Sequence, residues 1–130
     1  MKFAIVVYGG PYSHQAPLSA YHFASAVLQQ GHEIYRVFFY HDGVYTANNA
    51  IAPPQDEPDI RKLWAELAKN NNVDLVVCIA AALRRGMLDE TEAKRYEKSS
   101  AGLDDAFSIS GLGQLIDAGI NADRLVTFGA

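Results

Sequence analysis

The single cysteine of this 130-residue chain, Cys78, is the side chain best suited to covalent chemistry. It stands near the end of an apolar run that starts at Val73, and small residues, two arginines and Gly86 follow it. A helix start after Cys78, or the charges of Arg84 and Arg85, would favour a thiolate, the form of cysteine that attacks another sulfur atom. The pattern alone favours a plainer interpretation, in which the thiol is an inert core group and the arginines are surface charges.

Other polar motifs are weaker candidates for a site. Gly9 and Gly10 follow the first apolar run, but without the dinucleotide-binding spacing or a P-loop lysine, so a plain turn competes with a ligand crevice there. Ser110 and Gly111 resemble a capped helix start, where a phosphate site is a second choice. No two histidines form a familiar metal-binding pair, and one cysteine completes no familiar zinc set. The histidines are His14, His22, His32 and His41.

The apolar pattern predicts the elements that position Cys78. Short apolar runs with little alternation predict buried parallel strands at Phe3–Tyr8, Ile34–Tyr40, Val73–Ile79 and Leu125–Phe128. Helical spacing and caps predict helices at Leu18–Gln30, at Pro58–Asn70, from an Asp89–Glu92 capping box to about Glu97, and at Gly111–Ala118 after a Ser110 cap. This alternation predicts one α/β domain over residues 1–130, in three layers, with a central, mostly parallel sheet and helices on both faces. Cys78 then lies near the carboxyl end of the third strand, the edge where open α/β sheets bind ligands.

One connection, residues 41–57, is too long for a simple strand-to-helix loop. It is also apolar for a solvated segment, since it carries Val44, Tyr45, Ile51 and two successive prolines. The segment either folds back on its own domain or contacts another subunit, because apolar surface patches tend to be covered by partners. The pattern does not choose between these two interpretations.

Composition and charge restrict the class of protein. Apolar residues make up 49% of the chain and charged residues 20%, as in ordinary globular domains. The net charge of −4 argues against a direct, strongly held nucleic acid, which needs a basic surface. A lone cysteine forms no internal disulfide, so we expect a cytoplasmic protein. The first apolar run is too short for a signal peptide or a membrane span, and we expect no membrane association.

Four segments of the sequence, taken together, resemble the sequences of a known protein family. They are K-F-A-I-V-V near the start, R-V-F-F-Y-H-D-G-V-Y-T-A-N, V-C-I-A-A-A-L-R-R-G-M-L-D-E-T-E-A around Cys78, and S-G-L-G-Q-L. In this order the chain resembles the DsrE-like sulfur-relay proteins over nearly its whole length. The resemblance implies an α/β layer fold and a sulfurtransferase in which Cys78 carries sulfur as a persulfide.

The resemblance also implies partners and a pathway. The expected partners are TusB-like and TusC-like subunits in a dimer of heterotrimers, a TusA-like sulfur donor and a TusE-like acceptor. The expected destination is the 2-thio group of the wobble uridine in tRNA, with sulfur oxidation as an alternative pathway. A non-catalytic interaction subunit of such a complex is the competing hypothesis. With no second cysteine to resolve a persulfide internally, a relay between chains suits the sequence, and we expect no metal or organic cofactor.

Overall fold

Five parallel strands form one sheet in the computed structural model, which describes residues 1–130. They are β1 (Lys2–Val7), β2 (Glu33–Phe39), β3 (Leu75–Cys78), β4 (Phe107–Ser110) and β5 (Arg124–Phe128). Their order across the sheet is β4-β3-β2-β1-β5, so β4 and β5 are the two edges. The four strands predicted from the apolar runs are present, but the last of them, β5, has no buried residue because it forms an edge of the sheet. β4 is an additional strand that the sequence pattern did not predict.

Five α-helices and one 3₁₀ segment connect the strands. They are α1 (Ala16–Gln29), the 3₁₀ segment (His41–Ala47), α2 (Ile60–Asn71), α3 (Ile79–Arg84), α4 (Glu90–Arg95) and α5 (Gly113–Asn121). The predicted Asp89 cap is confirmed, because its carboxylate accepts a hydrogen bond from the Glu92 N–H at 2.8 Å. The predicted Ser110 cap is wrong: Ser110 ends β4, and α5 begins only at Gly113 after an N-cap at Leu112.

Helices cover both faces of the sheet, which confirms the three-layer α/β prediction. On one face, the Trp64 ring of α2 packs against Tyr21 of α1 and Phe39 of β2, at centroid distances of 5.8 and 5.4 Å. On the other face, the guanidinium of Arg36 on β2 donates to the Asp117 carboxylate and the Gln114 carbonyl of α5. The connections from β1 to β4 all run in the same direction across the sheet, and only the connection from β4 to β5 runs back. Because such crossovers are right-handed, α5 lies on the face opposite to the helices before it.

The long connection after β2 folds back on its own domain in its first half. Val44 and Ala47 of the 3₁₀ segment are completely buried and belong to the same apolar core as β1, β2 and β3. Residues 48–59 follow without a regular helix or strand until α2 begins. No helix in the structure combines the length and apolar character needed to cross a membrane.

Candidate functional site

Cys78 lies where β3 ends and α3 begins. It is the last residue of β3 and the N-cap of α3, with an extended backbone (φ −61°, ψ 122°). The position near the carboxyl end of β3 is the one that the sequence predicted, although the predicted strand ran on to Ile79, where α3 already begins. The helix start, which the sequence raised only as a condition, is present. The N–H groups of a first helical turn have no partner within the helix and carry partial positive charge.

The strand register determines which face of the sheet carries the thiol. Val77 pairs with Phe39, and Phe39 packs on Trp64, so Val77 points to the face covered by α1 and α2. Side chains alternate along a strand, so the Cys78 side chain leaves β3 on the opposite face, the one that carries α5. In the neighbouring strand, Ser110 is its register partner.

The thiol is buried in this structure. Only 2% of Cys78 is exposed, it belongs to the apolar core, and its sulfur makes no hydrogen bond. The 3₁₀ segment lies against both β3 and α3, so it is part of what covers this end of the sheet. Any reaction of Cys78 with another protein requires a local opening around the sulfur.

The two arginines after Cys78 have different surroundings, and neither hydrogen-bonds the sulfur. Arg84 is exposed and forms no ion pair. Arg85 donates from Nε to the Asp42 carboxylate at 2.8 Å and from Nη1 to the Ala81 carbonyl at 3.0 Å. Arg85 therefore ties α3 to the 3₁₀ segment.

Gly43 brings the 3₁₀ segment into close contact with the end of β1. Its N–H donates to the carbonyls of Tyr8 and Tyr40 at 3.0 and 2.8 Å. A Cβ atom at this position would stand 2.2 Å from the Val7 carbonyl oxygen, far inside van der Waals contact. Only glycine fits here, and the close approach holds the segment against the edge where Cys78 lies.

An aromatic stack lies beside the site at the ends of β1 and β2. The His41 ring stacks on Tyr40 at 4.3 Å and on Tyr8 at 5.2 Å, and the two tyrosine rings are 5.7 Å apart. His41 also has a left-handed backbone (φ 46°), which is uncommon for a residue with a side chain. The sequence analysis did not identify this stack; the available signal was an aromatic residue directly after each of two adjacent strands.

Of the other candidates from the sequence, Ser110 lies beside Cys78 in the sheet and His41 belongs to the neighbouring stack, whereas the rest lie elsewhere. Gly9 is a packing glycine, since a Cβ there would lie 2.9 Å from the Ala16 Cβ. The ring of His32 contacts the N-terminal amino group through Nδ1 at 3.0 Å. His14 and His22 are exposed on the surface. No group of three or more potential metal ligands occurs in the chain.

The main electrostatic cluster lies on the α5 face of the sheet. Hydrogen bonds from Tyr35 and then Arg36 lower the pKa of the Asp117 carboxyl below its ordinary value. The hydrogen bond to Asp117 raises the pKa of Tyr35. Burial opposes the charge of Arg36, but hydrogen bonds to Asp74 and Asp117 outweigh it and raise its pKa. This cluster fastens α5 to β2 and does not include the cysteine.

Comparison with known proteins gives the same family over the whole domain. The model of the DsrE/DsrF-like family matches residues 1–128. The DsrE protein of Allochromatium vinosum is 57% identical, with 99% of each chain covered. The proteins named sulfurtransferase TusD of Enterobacter sp. and Salmonella typhi are 49% and 48% identical, covering 98% of this chain and all of theirs.

A solved structure supports the fold independently. The YchN protein of E. coli superposes with a TM-score of 0.80 and covers 98% of this chain and 99% of its own, at 24% sequence identity. The resemblance to DsrE-like proteins inferred from the sequence is confirmed by these matches. The chain belongs to the DsrE/DsrF-like family, and the enzyme class of its relatives, sulfurtransferase, is the class to which we assign it.

Proposed function

We propose that Cys78 accepts sulfane sulfur as a persulfide from a TusA-like donor and passes it to a TusE-like acceptor. The main support is the position of the chain's only cysteine, at the carboxyl end of a buried parallel strand and the start of a helix. The sulfurtransferase names of relatives that span nearly the whole chain support the assignment. The proposed destination is the 2-thio group of the tRNA wobble uridine.

Both steps of the relay are thiol exchange in form. The Cys78 thiolate attacks the outer sulfur of the donor persulfide, the donor S–S bond breaks, and the donor cysteine leaves as a thiolate. An acceptor thiolate then attacks the outer sulfur on Cys78, and Cys78 leaves as a thiolate. No net oxidation or reduction occurs, so no electron carrier is needed. With no second cysteine in the chain, the sulfur leaves only to another molecule.

We propose that the 3₁₀ segment controls access to the buried Cys78. A persulfide in the core is shielded from oxidants and from stray thiols, and it becomes available when the segment moves away from α3. The Asp42–Arg85 pair that joins the two elements is largely solvent-exposed on the Asp42 side. Exposed pairs of this kind contribute about 0–1 kcal/mol, so the contact is weak enough to open when a partner binds.

The proposed subunit partners are TusB-like and TusC-like chains, and α5 offers a surface for such a contact. Leu112, Ile116 and Ile120 follow one another at four-residue spacing and are 46%, 63% and 76% exposed. A stripe of aliphatic side chains in water at a helix surface is typical of subunit interfaces. The acidic net charge fits a subunit that transfers sulfur in the cytoplasm without binding tRNA directly.

A non-catalytic interaction subunit is the second candidate, and the burial of the thiol favours it. In that case Cys78 is a small core residue and the chain serves assembly alone. The destination of the sulfur also has an alternative, because a relative at 57% identity is a DsrE protein, and a sulfur-oxidation system is the second pathway we consider.

Sulfur loading separates the sulfur-carrier role from the assembly role. The protein is incubated with a persulfidated donor protein, and its intact mass is measured before and after reduction. We expect one sulfur atom on the wild type, removed by reduction, and none on Cys78→Ser. A wild type that gains no sulfur, or a Cys78→Ser variant that gains as much, would favour the assembly role.

A further inference from the structure

The strand β4 leaves one edge of the sheet open. It pairs with β3 on one side only, and no strand of the chain covers its other side. Ser108 in the middle of β4 is exposed. An open edge offers backbone N–H and C=O groups to an added strand, which is how several domains bind extended peptides.

This edge is close to the proposed sulfur carrier. Ser110 at the end of β4 is the register partner of Cys78. Strands in a sheet lie about 4.8 Å apart, so a strand added beside β4 would run roughly 10 Å from β3. Gly111 follows directly, and there is open space around the position that its Cβ would take. A cysteine just beyond an added strand would therefore stand beside Gly111 and could cross over it toward Cys78 once a local opening uncovers the sulfur.

A groove with acidic walls runs along the same edge. Its volume is about 480 Å³, and Phe107 and Ser108 of β4 form one side. Glu90 and Asp105 also line it, and neither forms an ion pair within the chain. Asp89 and Asp104 line it as well, so four of its ten lining residues are acidic and none is basic. The groove therefore suits an occupant with positive charge.

We propose that an extended, lysine- or arginine-bearing segment of the sulfur-accepting partner adds to the free edge of β4 and carries its cysteine to Cys78. The proposal rests on the proposed function, because it names how the acceptor reaches that site. The four residues of β4 set the length of the pairing at about 13 Å. The acceptor thiolate attacks the outer sulfur of the Cys78 persulfide, the S–S bond breaks, and Cys78 is regenerated as a thiolate.

Docking is tested first without sulfur. Three octapeptides that end in serine are compared by fluorescence anisotropy at low salt: one alternates valine and lysine, one alternates valine and glutamate, and one is the lysine peptide N-methylated at alternate residues. We expect the lysine peptide to bind at least about tenfold more tightly than the glutamate peptide. N-methylation removes backbone donors. If binding is strand addition rather than charge attraction alone, the methylated lysine peptide should therefore lose its advantage over the glutamate peptide.

Matched charge variants locate the peptide. Glu90→Lys/Asp105→Lys should remove or invert the preference for lysine, whereas Glu33→Lys/Asp56→Lys changes net charge equally at exposed positions outside the groove and should retain it. Equal binding of all three peptides, or a preference that survives in the groove variant, would overturn the proposal.

The same peptides ending in cysteine then test delivery. With Cys78 loaded from inorganic polysulfide, persulfide loss to each peptide should follow the order of binding. If the lysine peptide binds tightly but takes sulfur from the loaded protein no faster than the other peptides do, delivery at this edge is refuted. A protein that binds the lysine peptide but never loads sulfur would refute the proposed function while leaving the docking surface intact.

Discussion

Gly43→Ala should loosen the 3₁₀ segment and expose the thiol, because this glycine makes the tightest contact between that segment and the sheet. An alanine Cβ would start 2.2 Å from the Val7 carbonyl oxygen, and contacts shorter than 3.0 Å are essentially never observed. The neighbouring atom is backbone, so no side chain can rotate away. The segment itself must move, and with it the Gly43 N–H that donates to Tyr8 and Tyr40.

The expected cost of this movement is about 3 kcal/mol in the free energy of unfolding. Overpacking of a tight site costs roughly 1–3 kcal/mol. Weakening the hydrogen bonds of a buried N–H adds roughly 1–3 kcal/mol if no water replaces them. Together these give roughly 2–6 kcal/mol, and we take a value in the lower half of this range because the segment is near the surface and part of the strain can relax.

Two readouts in the same chain check the prediction. Trp64 is the only tryptophan and is completely buried, so its fluorescence reports global unfolding in urea. Cys78 is the only cysteine, so the rate of its reaction with an aromatic disulfide reports local opening. We expect the variant to unfold at lower urea and its thiol to react at least about tenfold faster than that of the wild type in the absence of denaturant.

The matched control is Gly119→Ala in α5. Nothing lies within 4 Å of a Cβ at this position, and alanine is favoured over glycine inside a helix by about 0.5–1 kcal/mol. The control should therefore be slightly more stable and should leave the reaction rate of Cys78 unchanged. If Gly43→Ala matches the wild type in both stability and thiol reactivity, the assigned role of the 3₁₀ segment is wrong.

Three further predictions concern other parts of the molecule. The pKa of Asp117 is lowered below 3.8 in the folded state, so its contribution to stability is complete above that pH and is lost as the pH falls through the lower folded value. Asp117→Asn should therefore flatten this part of the acid-unfolding curve, and a curve of unchanged shape would refute the assignment. Ile116→Lys/Ile120→Lys should leave the isolated chain folded but abolish assembly with TusB-like and TusC-like subunits in size-exclusion chromatography with light scattering; normal assembly would exclude the α5 stripe as the interface. Asp42→Asn should change the free energy of unfolding by less than about 1 kcal/mol, because the Arg85 pair is partly exposed, and a larger loss in urea titration would contradict a weak contact.

The sequence predicted the sheet where apolar runs are strong and failed where they are not. Four strands follow apolar runs, whereas β4 alternates Phe107 and Ile109 with two serines over only four residues. Such a short, partly polar segment carries too weak a signal to distinguish an edge strand from a loop. The missed strand also explains the wrong cap prediction, because Ser110 pairs with Cys78 in the sheet and does not start a helix.

The site was predictable in position but not in its surroundings. A cysteine at the end of an apolar run placed Cys78 correctly near the carboxyl end of a strand, whereas the short helix α3 after it was not predicted. Its burial depends on the 3₁₀ segment, which is distant in the sequence. The ion pair between Arg85 and Asp42 likewise joins residues that are 43 positions apart. Contacts of this kind are set by tertiary packing, and local spacing contains no information about them.

The most direct test of the relay is to follow one labelled sulfur atom through a single turnover. Cys78 is loaded with radioactive sulfur from a labelled persulfide donor, excess donor is removed, and a TusE-like acceptor is added with rapid quenching at successive times. The account predicts that the label leaves Cys78 and appears on the acceptor thiol at the same rate, with no transfer through Cys78→Ser. Label that stays on Cys78, or that reaches the acceptor equally well through the serine variant, would contradict it.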